Sequence, residues 1–479
     1  MKRRQFLNSA ARLTIGAFAL RKVHGFGAQS QTPLRKSING LSASDPLVKN
    51  YAKAVSIMKN NMHATDPRNW TQQAKIHNDF CPHDNWWFLP WHRAYLFYFE
   101  NVCRDVLQDP SFALPYWDWT QLSRIPDPFL DQQSPLWDGT RDKGGQIQLG
   151  QEIVGSRVIS GLIGSGALVD LFSSPTSGDA QREHVSAGTL EGTPHNGVHG
   201  TILGDMGAYM SPLDPIFWLH HCNVDRIWAS WAKQNNNLAP SSTLWTNHSL
   251  KVFYNPETKQ QISPKAGDTL DPAKYRAIYD SYETVSTPPP IHSAPSLKGA
   301  MFGAGGHLFN ATGVKSVTGN SVPGKQVELG FAEELQMDVS HDFAGLIQKI
   351  VSPPEAGAAL QAATYLQIKD VPSPTTPSTA LRVFLNCKNP SLETSLDDPT
   401  YVTTVAFFGG GHAGDTHPGT SFTLNVTRTI ARVVQAGIYA AGQPIDVAIL
   451  PVDLANPGRT AHAEILKPGS VQLVGLQTL

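Results

Sequence analysis

One proline-rich segment separates two parts of this 479-residue chain that have different hydrophobic patterns. The segment STPPPIHSAPS, residues 286–296, contains four prolines, which stiffen the backbone and cannot continue a helix. Before it, apolar residues recur at helical spacing, as in DPLVKNYAKAVSIMKNNM, HRAYLFYFENVCRDVLQ and PIFWLHHCNVDRIWASWAKQ. After it come short runs rich in Val, Thr and Phe between turn residues: LRVFLNC, YVTTVAFF, SFTLNVTRTI, PIDVAILPV and SVQLVGL.

The change of period predicts an α+β protein, because a chain of this length exceeds a single hydrophobic core. We expect a mainly α-helical bundle domain over residues 31–285, a Pro-rich linker over 286–300, and an antiparallel β-sandwich domain over 301–479. Within the helical part, the Gly- and Ser-rich stretch 141–192 predicts loops with one short helix.

Charge and cysteine content exclude several classes of protein. The formal net charge is −1 with no long block of one sign, which argues against a dedicated nucleic-acid or membrane-surface binder. The four cysteines are scattered and form no CxxC pair, so no disulfide framework is predicted.

The N-terminal residues MKRRQFLNSAARLTIGAFAL predict a targeting signal rather than part of the fold. RRQFL resembles the core of a twin-arginine export signal, whereas the alternative is a basic disordered tail. The apolar run is short and carries Arg12, so it is not a membrane span. We expect residues 1–30 to be a signal peptide, with export of the folded protein to a bacterial periplasm or extracellular space and no membrane insertion after processing.

Histidines are concentrated in the helical part. Four residues separate the two histidines of HNGVH, so on a helix they share one face and can bind one metal. In PHDNWWFLPWH, Pro90 breaks helical continuity, so His83 lies in a loop before a helix that carries His92. Of an adjacent pair, only one histidine can face the same point. The three groups are His77, His83 and His92; His195 and His199; and His220 and His221.

A single HxxxH motif is weak evidence, because a hydrogen-bonded core histidine is the commoner role of a lone histidine. Several suitably spaced histidines without carboxylates among them indicate more, since imidazole-only sites suit copper, zinc or iron. Asp225 lies four residues after His221 on the same helix face, and we expect it to orient an imidazole.

These motifs resemble the type-3 copper proteins, the family of tyrosinases, catechol oxidases and haemocyanins. The resemblance covers residues 46–231 through DPRNWTQQAKIH, FLPWHRAYLFYFE, PHNGVH and DPIFWLHHCNVDRIW, and more loosely the C-terminal part, which is similar to the β-domain of plant polyphenol oxidases. It implies two copper ions, with dioxygen as co-substrate. It implies His77, His83 and His92 as ligands of the first copper, and His195, His199 and His221 as ligands of the second.

The resemblance also implies roles beside the coppers. Cys81, two residues before His83, matches the cysteine that some members bond through sulfur to the histidine, giving a thioether; the alternative is a buried free thiol. Glu191 and Asn196 match the pair that holds a water for phenol deprotonation, against a helix-capping Glu and a solvated Asn. His220 becomes a near neighbour in the catalytic site.

Two further features would control access to the site. The position of a bulky gate in plant enzymes aligns with Ala208, and Tyr209 and Met210 are alternative wall residues. Phe407 or Phe408, in AFFGGGHAG, is the candidate for an apolar plug inserted by the C-terminal domain, the alternative being a buried strand end. We expect the aromatic residues Trp86, Trp87, Phe88 and Trp91 to pack behind the copper helices.

The resemblance implies ortho-hydroxylation of monophenols and oxidation of o-diphenols to o-quinones. The alternatives are a catechol oxidase without monophenolase activity, a haemocyanin-like oxygen carrier, and a zinc hydrolase. Phenolic small molecules are the expected substrates, a copper chaperone is compatible with this chemistry as a partner, and nucleic acid is not an expected partner.

Overall fold

A computed structural model of the chain describes residues 33–285, 301–302, 308–309, 314–328, 332–352, 362–409, 419–458 and 465–478. By its internal contacts, Pro33–Leu479 forms one compact unit. The predicted signal peptide and the predicted linker lie outside the described residues, and the two-domain division stays a prediction. In the part of the chain that the structure describes, no helix is both long and apolar enough to cross a membrane.

The first part of the fold is helical. Its two long helices, α3 and α8, carry metal-ligand candidates, and both are almost completely buried. The helices are α1 (Pro46–Lys59), α2 (Trp70–Phe80), α3 (Phe88–Leu107), α4 (Gln151–Val154), α5 (Ser156–Ser165), α6 (Leu168–Phe172), α7 (Asn196–Ile202), α8 (Ile216–Gln234) and α9 (Thr243–Asn247), with a small antiparallel pair β1 (Phe253–Asn255) and β2 (Gln260–Ile262).

The second part is rich in antiparallel strands. Two four-stranded sheets have the strand orders β10-β9-β12-β7 and β11-β8-β14-β5. The elements are β3 (Met301–Phe302), β4 (Leu308–Phe309), β5 (Val314–Pro323), β6 (Val327–Glu328), β7 (Glu333–Met337), α10 (His341–Val351), β8 (Ala362–Val371), β9 (Thr379–Leu385), β10 (Tyr401–Ala406), β11 (Thr420–Asn425), α11 (Thr427–Gln435), β12 (Ile445–Asp453), β13 (Ile465–Leu466) and β14 (Ser470–Thr478).

The sheet β10-β9-β12-β7 joins the two parts of the fold. Alternate residues of a strand face opposite sides of a sheet, and along β12 Val447 and Ile449 enter the core of the strand-rich part. Their neighbours Ala448 and Leu450 instead enter the core of the helical part. Because both faces are covered, β12 is apolar and buried almost throughout, without a polar face.

The α+β prediction is confirmed, but two local predictions are wrong. The stretch 141–192 contains three helices, α4, α5 and α6, rather than one, because apolar residues such as Ile159, Leu162 and Ile163 pack into the core despite the low helix propensity of Gly and Ser. In SFTLNVTRTI only Thr420–Asn425 is a strand, and the residues after Val426 begin α11, whose apolar face packs into the core of the strand-rich part.

Candidate metal centre

Seven buried histidines form two clusters in the helical part. Within each cluster, one possible ligand atom from each residue lies within 4.8 Å of the corresponding atoms of the others. The clusters are adjacent, since the rings of His92 and His221 stack with centroids 4.4 Å apart. The first cluster is His77, His83 and His92, and the second is His195, His199, His220 and His221.

Local signals fix the elements that present these side chains. Asn69 caps α2 by accepting from the N–H of Thr71, and α2 carries His77 in its last turn. The second cluster begins in a π-helical turn, Glu191–His195, that runs directly into α7. A carboxylate of Asp214 accepts from the N–H of Ile216 at the start of α8, and the buried guanidinium of Arg141 holds the same carboxylate from the other side.

Backbone carbonyls orient one histidine from each of three helices. A carbonyl oxygen can only accept, so the imidazole Nδ1 that contacts it must carry the proton, and Nε2 keeps its lone pair. The distances from Nδ1 to oxygen are 2.7 Å for His77 and Tyr209, 2.8 Å for His92 and Phe88, and 2.5 Å for His199 and Met206.

Asn196 orients His195 in the same way. The side-chain amide of Asn196 donates from Nδ2 to the carbonyl of Ala406 at 3.0 Å, so its Oδ1 faces His195 Nδ1, at 2.7 Å. His195 therefore carries its proton on Nδ1, and the lone pair of Nε2 is available. Because Ala406 is the last residue of β10, the strand-rich part helps to set the orientation of a ligand candidate in the helical part.

His220 differs from the other members of the second cluster. The indole N–H of Trp119 donates to His220 Nδ1 at 3.2 Å. An indole nitrogen only donates, so His220 Nδ1 accepts, and the proton of the neutral imidazole sits on Nε2. A protonated nitrogen cannot bind a metal. His221 has no such constraint, and its Nε2 lies 3.4 Å from His199 Nε2.

The donor set fits two copper ions. Burial lowers the pKa of His92 and of His199 to about 3, and burial likewise lowers the pKa of the other five histidines well below the usual value, so all are neutral at physiological pH. Among the described residues, the Nε2 atoms of His77, His83, His92 and His195 are buried without a hydrogen-bond partner. Buried imidazoles with free lone pairs and no carboxylate among them suit copper.

Cys81 lies between two histidines of the first cluster. Its Sγ is 3.5 Å from His83 Nδ1 and 3.6 Å from His77 Nδ1, and burial raises the pKa of the thiol. His83 stands in the loop between α2 and α3, so its main chain is held by no helix. The structure thus brings Cys81 and His83 into contact, and the thioether bond between them stays a prediction.

Glu191 is the first residue of the π-helical turn, and Asn196 follows the last residue of that turn. Glu191 is fully buried and accepts from the N–H of Asp84 at 2.8 Å and from the hydroxyl of Ser173 at 2.7 Å. Burial, and then the negative charge of Asp84, raise the pKa of Glu191 well above the usual value. The shared role of Glu191 and Asn196 in deprotonating a phenol stays a prediction.

Aromatic side chains cover the histidines. The ring of Phe408, from the strand-rich part, stacks on His83 with centroids 4.4 Å apart and lies 4.7 Å from His199. The ring of Tyr209 lies 5.4 Å from that of His83, whereas Ala208 and Met210 flank it at half-buried positions. Phe407 points into the other core, where it packs on Phe422.

Phe88 lies nearer to the metal centre than predicted. Its ring contacts those of His92 and His195, at 4.6 and 4.7 Å between centroids, so it is a wall of the site and not packing behind it. The three tryptophans have fully buried side chains. Trp91 contacts both His77 and His92 by the ring edge, and Trp86 and Trp87 pack on each other.

Asp225 pairs with arginines and a tyrosine, so the prediction that it orients an imidazole is wrong. Its carboxylate accepts from Arg93 Nε at 2.6 Å and from the hydroxyl of Tyr279 at 2.5 Å, and Arg35 Nη1 lies 3.5 Å away. The buried arginines require a buried carboxylate, because an unpaired buried charge is costly. Asp225 therefore stabilises the helix packing behind the centre.

Sequence reasoning missed the groups that orient the ligands. Trp119 and the carbonyl of Tyr209 orient histidines from segments 101 and 132 residues away in the chain, and Ser173 holds Glu191. The carbonyl of Met206 lies seven residues after His199, but in a short 3₁₀ turn. The carbonyl of Phe88 alone could have been found, since it lies one helical turn before His92.

Comparisons with known proteins agree with this geometry. A family model described as the common central domain of tyrosinase matches residues 58–157 and 148–234. A latent chloroplastic polyphenol oxidase of Prunus armeniaca is 30% identical over 319 residues, which span 56% of this chain and 51% of the relative. A chloroplastic polyphenol oxidase of Spinacia oleracea is 35% identical over 235 residues, 38% of this chain and 37% of the relative.

The chain thus spans about half the length, or less, of these curated relatives. Two solved structures are similar over nearly the whole chain. Latent aurone synthase, a polyphenol oxidase, matches 94% of this chain and 90% of its own with a TM-score of 0.66 at 20% identity. Latent apple tyrosinase matches 94% and 98%, with a TM-score of 0.64 at 20% identity. At this identity the likeness shows the fold.

Proposed function

We propose that this chain, whose residues 58–234 belong to the tyrosinase family of type-3 copper proteins, is a dicopper oxidoreductase of phenols. It would use dioxygen to hydroxylate monophenols at the ortho position and to oxidise o-diphenols to o-quinones. The observation that carries this proposal is the convergence of six neutral, buried histidines on one centre. The seventh histidine of the two clusters, His220, is not counted because its Nε2 is protonated. His77, His83 and His92 would hold one copper, and His195, His199 and His221 the other.

Copper, when bound, supplies a redox couple that exchanges electrons with the phenol and with dioxygen. The chain's own groups prepare the site for it. Carbonyls of Tyr209 and Met206 and the amide of Asn196 hold the Nδ1 protons, so Nε2 stays available without a further proton loss. Phe88 forms an apolar wall of the centre beside His195.

For hydroxylation, a phenol must lose its proton, and Glu191 with Asn196 is the pair we assign to that step. Burial raises the pKa of Glu191, which makes its carboxylate a stronger base than an exposed carboxylate. Glu191→Gln should lower monophenol hydroxylation on the order of a hundredfold while o-diphenol oxidation is largely retained. The matched control is Glu183→Gln, eight residues earlier in the chain, where the carboxylate binds Ser177 away from the histidines. Equal loss of both activities in Glu191→Gln would contradict the assigned role.

The decisive experiment is oxygen uptake by copper-loaded protein with tyrosine, catechol and bulkier phenols as substrates, together with metal analysis. Uptake with both phenol types supports the full proposal, and uptake with catechol alone indicates a catechol oxidase. Reversible oxygen binding without turnover of any phenol indicates a carrier. One zinc ion in place of two coppers per chain would overturn the assignment.

We further propose that the strand-rich part acts as a covering domain that makes the enzyme latent. The support is the position of Phe408, whose ring lies against His83 and His199 and also 5.3 Å from Tyr209. A phenol must approach the same histidines, so it competes with this ring. Tyr209 is then the wall residue next to the plug, and Ala208 and Met210 stand beside it.

For localisation we propose export through the N-terminal residues 1–30, as the RRQFL motif indicates. The matched plant relatives are chloroplastic by name. Replacing Arg3-Arg4 by Lys-Lys and fractionating cells tests this route: the protein should then stay in the cytoplasm, and unchanged export would contradict a twin-arginine route. A copper chaperone remains compatible with loading before export.

A further inference from the structure

A second cavity lies on the seam between the helical and the strand-rich parts, lined by residues other than the metal ligands. It has a volume of about 210 Å³. One side of the cavity is formed by α5, by Asp170 of α6 and by Thr189. The other side is formed by β8, β10, β11 and α11. A dry cavity of about 150 Å³ accepts benzene, so this cavity is large enough for a six-membered ring and a small substituent.

Two arginines of α11 give this cavity an excess of positive charge. Among the described residues, neither Arg428 nor Arg432 forms a close ion pair, although Arg428 attracts the carboxylate of Asp170 at longer range. Arg432 donates only to neutral groups, the carbonyl of Tyr401 at 2.6 Å and the hydroxyl of Thr429 at 2.8 Å. Arg428 Nη2 and Arg432 Nε are buried and lack hydrogen-bond partners in the described part of the chain. Buried donors without partners are costly, so both nitrogens favour an acceptor.

The acidic residue in the lining does not satisfy these donors. Asp170 is buried, and its carboxylate accepts from the Thr189 hydroxyl at 3.0 Å and from Asn425 Nδ2 at 3.4 Å. Arg157 also lines the cavity, but its side chain is 40% exposed and pairs with Asp397 at 3.1 Å. Asp170 therefore offsets part of the charge of Arg428 without bonding to it, and the charge of Arg432 has no acidic partner in the described lining.

Most of the remaining wall is apolar, although several threonines also line it, and a glycine keeps it open. Leu162, Leu424 and Ala363 line the space. Gly161 occupies the middle of α5, where glycine costs about 1 kcal/mol relative to alanine. A Cβ at this position would meet Arg428 Nη1 at 3.8 Å, an ordinary contact, so the backbone does not demand glycine. Its absence of a side chain leaves room in the cavity.

We propose that this cavity binds a small organic carboxylate, with the carboxylate between Arg428 and Arg432 and the apolar body against Leu162 and Leu424. Two guanidinium groups with free donors match a carboxylate, and the apolar walls match a ring or short hydrocarbon chain. A ligand there bridges α5 and α11, so its binding also stabilises the seam between the two parts of the fold.

Isothermal titration of the copper-loaded, full-length protein with cyclohexanecarboxylate tests this proposal, with cyclohexylmethanol as the neutral probe of the same shape. Two variants remove the site by different means. Arg428→Gln removes a charged donor and should weaken carboxylate binding at least about tenfold. Gly161→Leu fills the cavity and should abolish the binding. The matched control Gly161→Ala adds one methyl group at the same position and should retain most of the affinity.

Each outcome decides the matter. Carboxylate binding that is lost in Gly161→Leu, weakened in Arg428→Gln and weaker for the alcohol supports the site. Binding that persists in both variants belongs elsewhere, for example at the metal centre, and overturns the proposal, as does equal affinity for the alcohol. No measurable binding by the unsubstituted protein overturns it as well. Thermal melting of each variant without ligand confirms folding. The carboxylate should raise the melting temperature of the unsubstituted protein but not that of Gly161→Leu, which cannot bind it.

Discussion

Most imidazoles at the metal centre are oriented by a group that contacts Nδ1. Nδ1 of His77, His92 and His199 donates to a carbonyl, and this leaves Nε2 as a ligand atom. The indole of Trp119 reverses the arrangement for His220. A single donor-only partner therefore distinguishes two adjacent histidines that spacing alone leaves equivalent.

This difference predicts opposite results for two neighbouring substitutions. His221→Gln should bind about one copper per chain instead of two, because it removes a ligand. His220→Gln should keep both coppers, since the Nε2 of His220 is protonated and not a ligand. Copper content per folded chain, measured after removal of loosely bound metal, checks both variants. The two substitutions lie side by side in α8, so each serves as the control for the other. Equal copper loss in both would contradict the tautomer assignment.

Cys81 and His83 give a second prediction at the scale of a residue. Cys81 Sγ lies 3.5 Å from Nδ1 of the His83 ring, which allows the sulfur to bond to a carbon of that ring. The thiol S–H and the ring C–H are then lost, and their two electrons pass to dioxygen, the oxidant of the proposed activity, in the presence of copper. The tryptic peptide of residues 76–93 from copper-loaded protein should then be lighter by two hydrogen atoms, with no second peptide attached. Protein produced without copper is the control and should give the unmodified mass. An alkylatable Cys81 in the copper-loaded protein would refute the bond and leave the ligand assignment intact.

At the scale of elements, the sequence predicted ligand-bearing helices better than the short segments that orient them. The spacing of His195 and His199 predicts that the two imidazoles lie together, and they share one cluster although His195 ends the π-helical turn before α7. The position of Pro90 predicts a helix that carries His92, and α3 begins two residues before this proline. The carbonyls of Tyr209 and Met206 come from an irregular stretch whose path depends on tertiary packing. Helix α11 was missed because its threonines and valines have strand propensity. The packing of its apolar face against the core stabilises the helix instead.

The short 3₁₀ turn Gly204–Gly207, which carries Met206, predicts a pH effect on stability. Burial, with the negative charges of Asp138 and Asp214, raises the pKa of Asp205 to about 6, against about 4 in an unfolded chain. An acid with a raised pKa binds its proton more tightly in the folded state, so its contribution to stability is lost as the pH rises from about 4 to about 6.

Asp205→Asn removes this loss. The variant should gain stability relative to the unsubstituted protein as the pH rises through this range, by about 1 kcal/mol above pH 6 after allowance for solvent screening of a half-buried group. Calorimetric melting at several pH values, in the same metal state, measures the difference. The control is Asp127→Asn, whose exposed carboxylate pairs with Arg124 and whose pKa is lowered. A gain that does not depend on pH would contradict the explanation.

At the scale of the whole molecule, the sequence indicated two parts with different periods but not how closely they join. Alternate residues of β12 belong to different cores, and Asn196 beside a ligand candidate donates to the end of β10. The sequence predicted a β-sandwich over residues 301–479, yet which core each strand face enters depends on tertiary packing. Phe408 lies two residues after the end of β10, so the sheet that joins the two parts positions the covering ring.

Cleavage and substitution should therefore have different effects on latency. A protease site placed within residues 286–300 and then cut should leave the two pieces bound together, because they share a core and the ion pair between Arg382 and Glu152 at 3.3 Å. Size-exclusion chromatography should show one species, and o-diphenol oxidation should stay close to that of the uncut protein. Activity should rise only when mild denaturant separates the pieces. Dissociation of the cut protein without denaturant would refute the shared-core argument.

Phe408→Ala should raise o-diphenol oxidation in the uncut protein, since it removes the ring that stacks on His83 without cutting the chain. Phe407→Ala is the matched control, because that adjacent side chain packs on Phe422 in the other core. It should destabilise the protein by about 3 kcal/mol or more and leave the covered site closed. Steady-state oxygen uptake and thermal melting distinguish the two variants: Phe408 acts through access to the metal centre and Phe407 through packing. If Phe408→Ala changes stability but not activity, Phe408 is a packing residue and the strand-rich part has no role in latency through it.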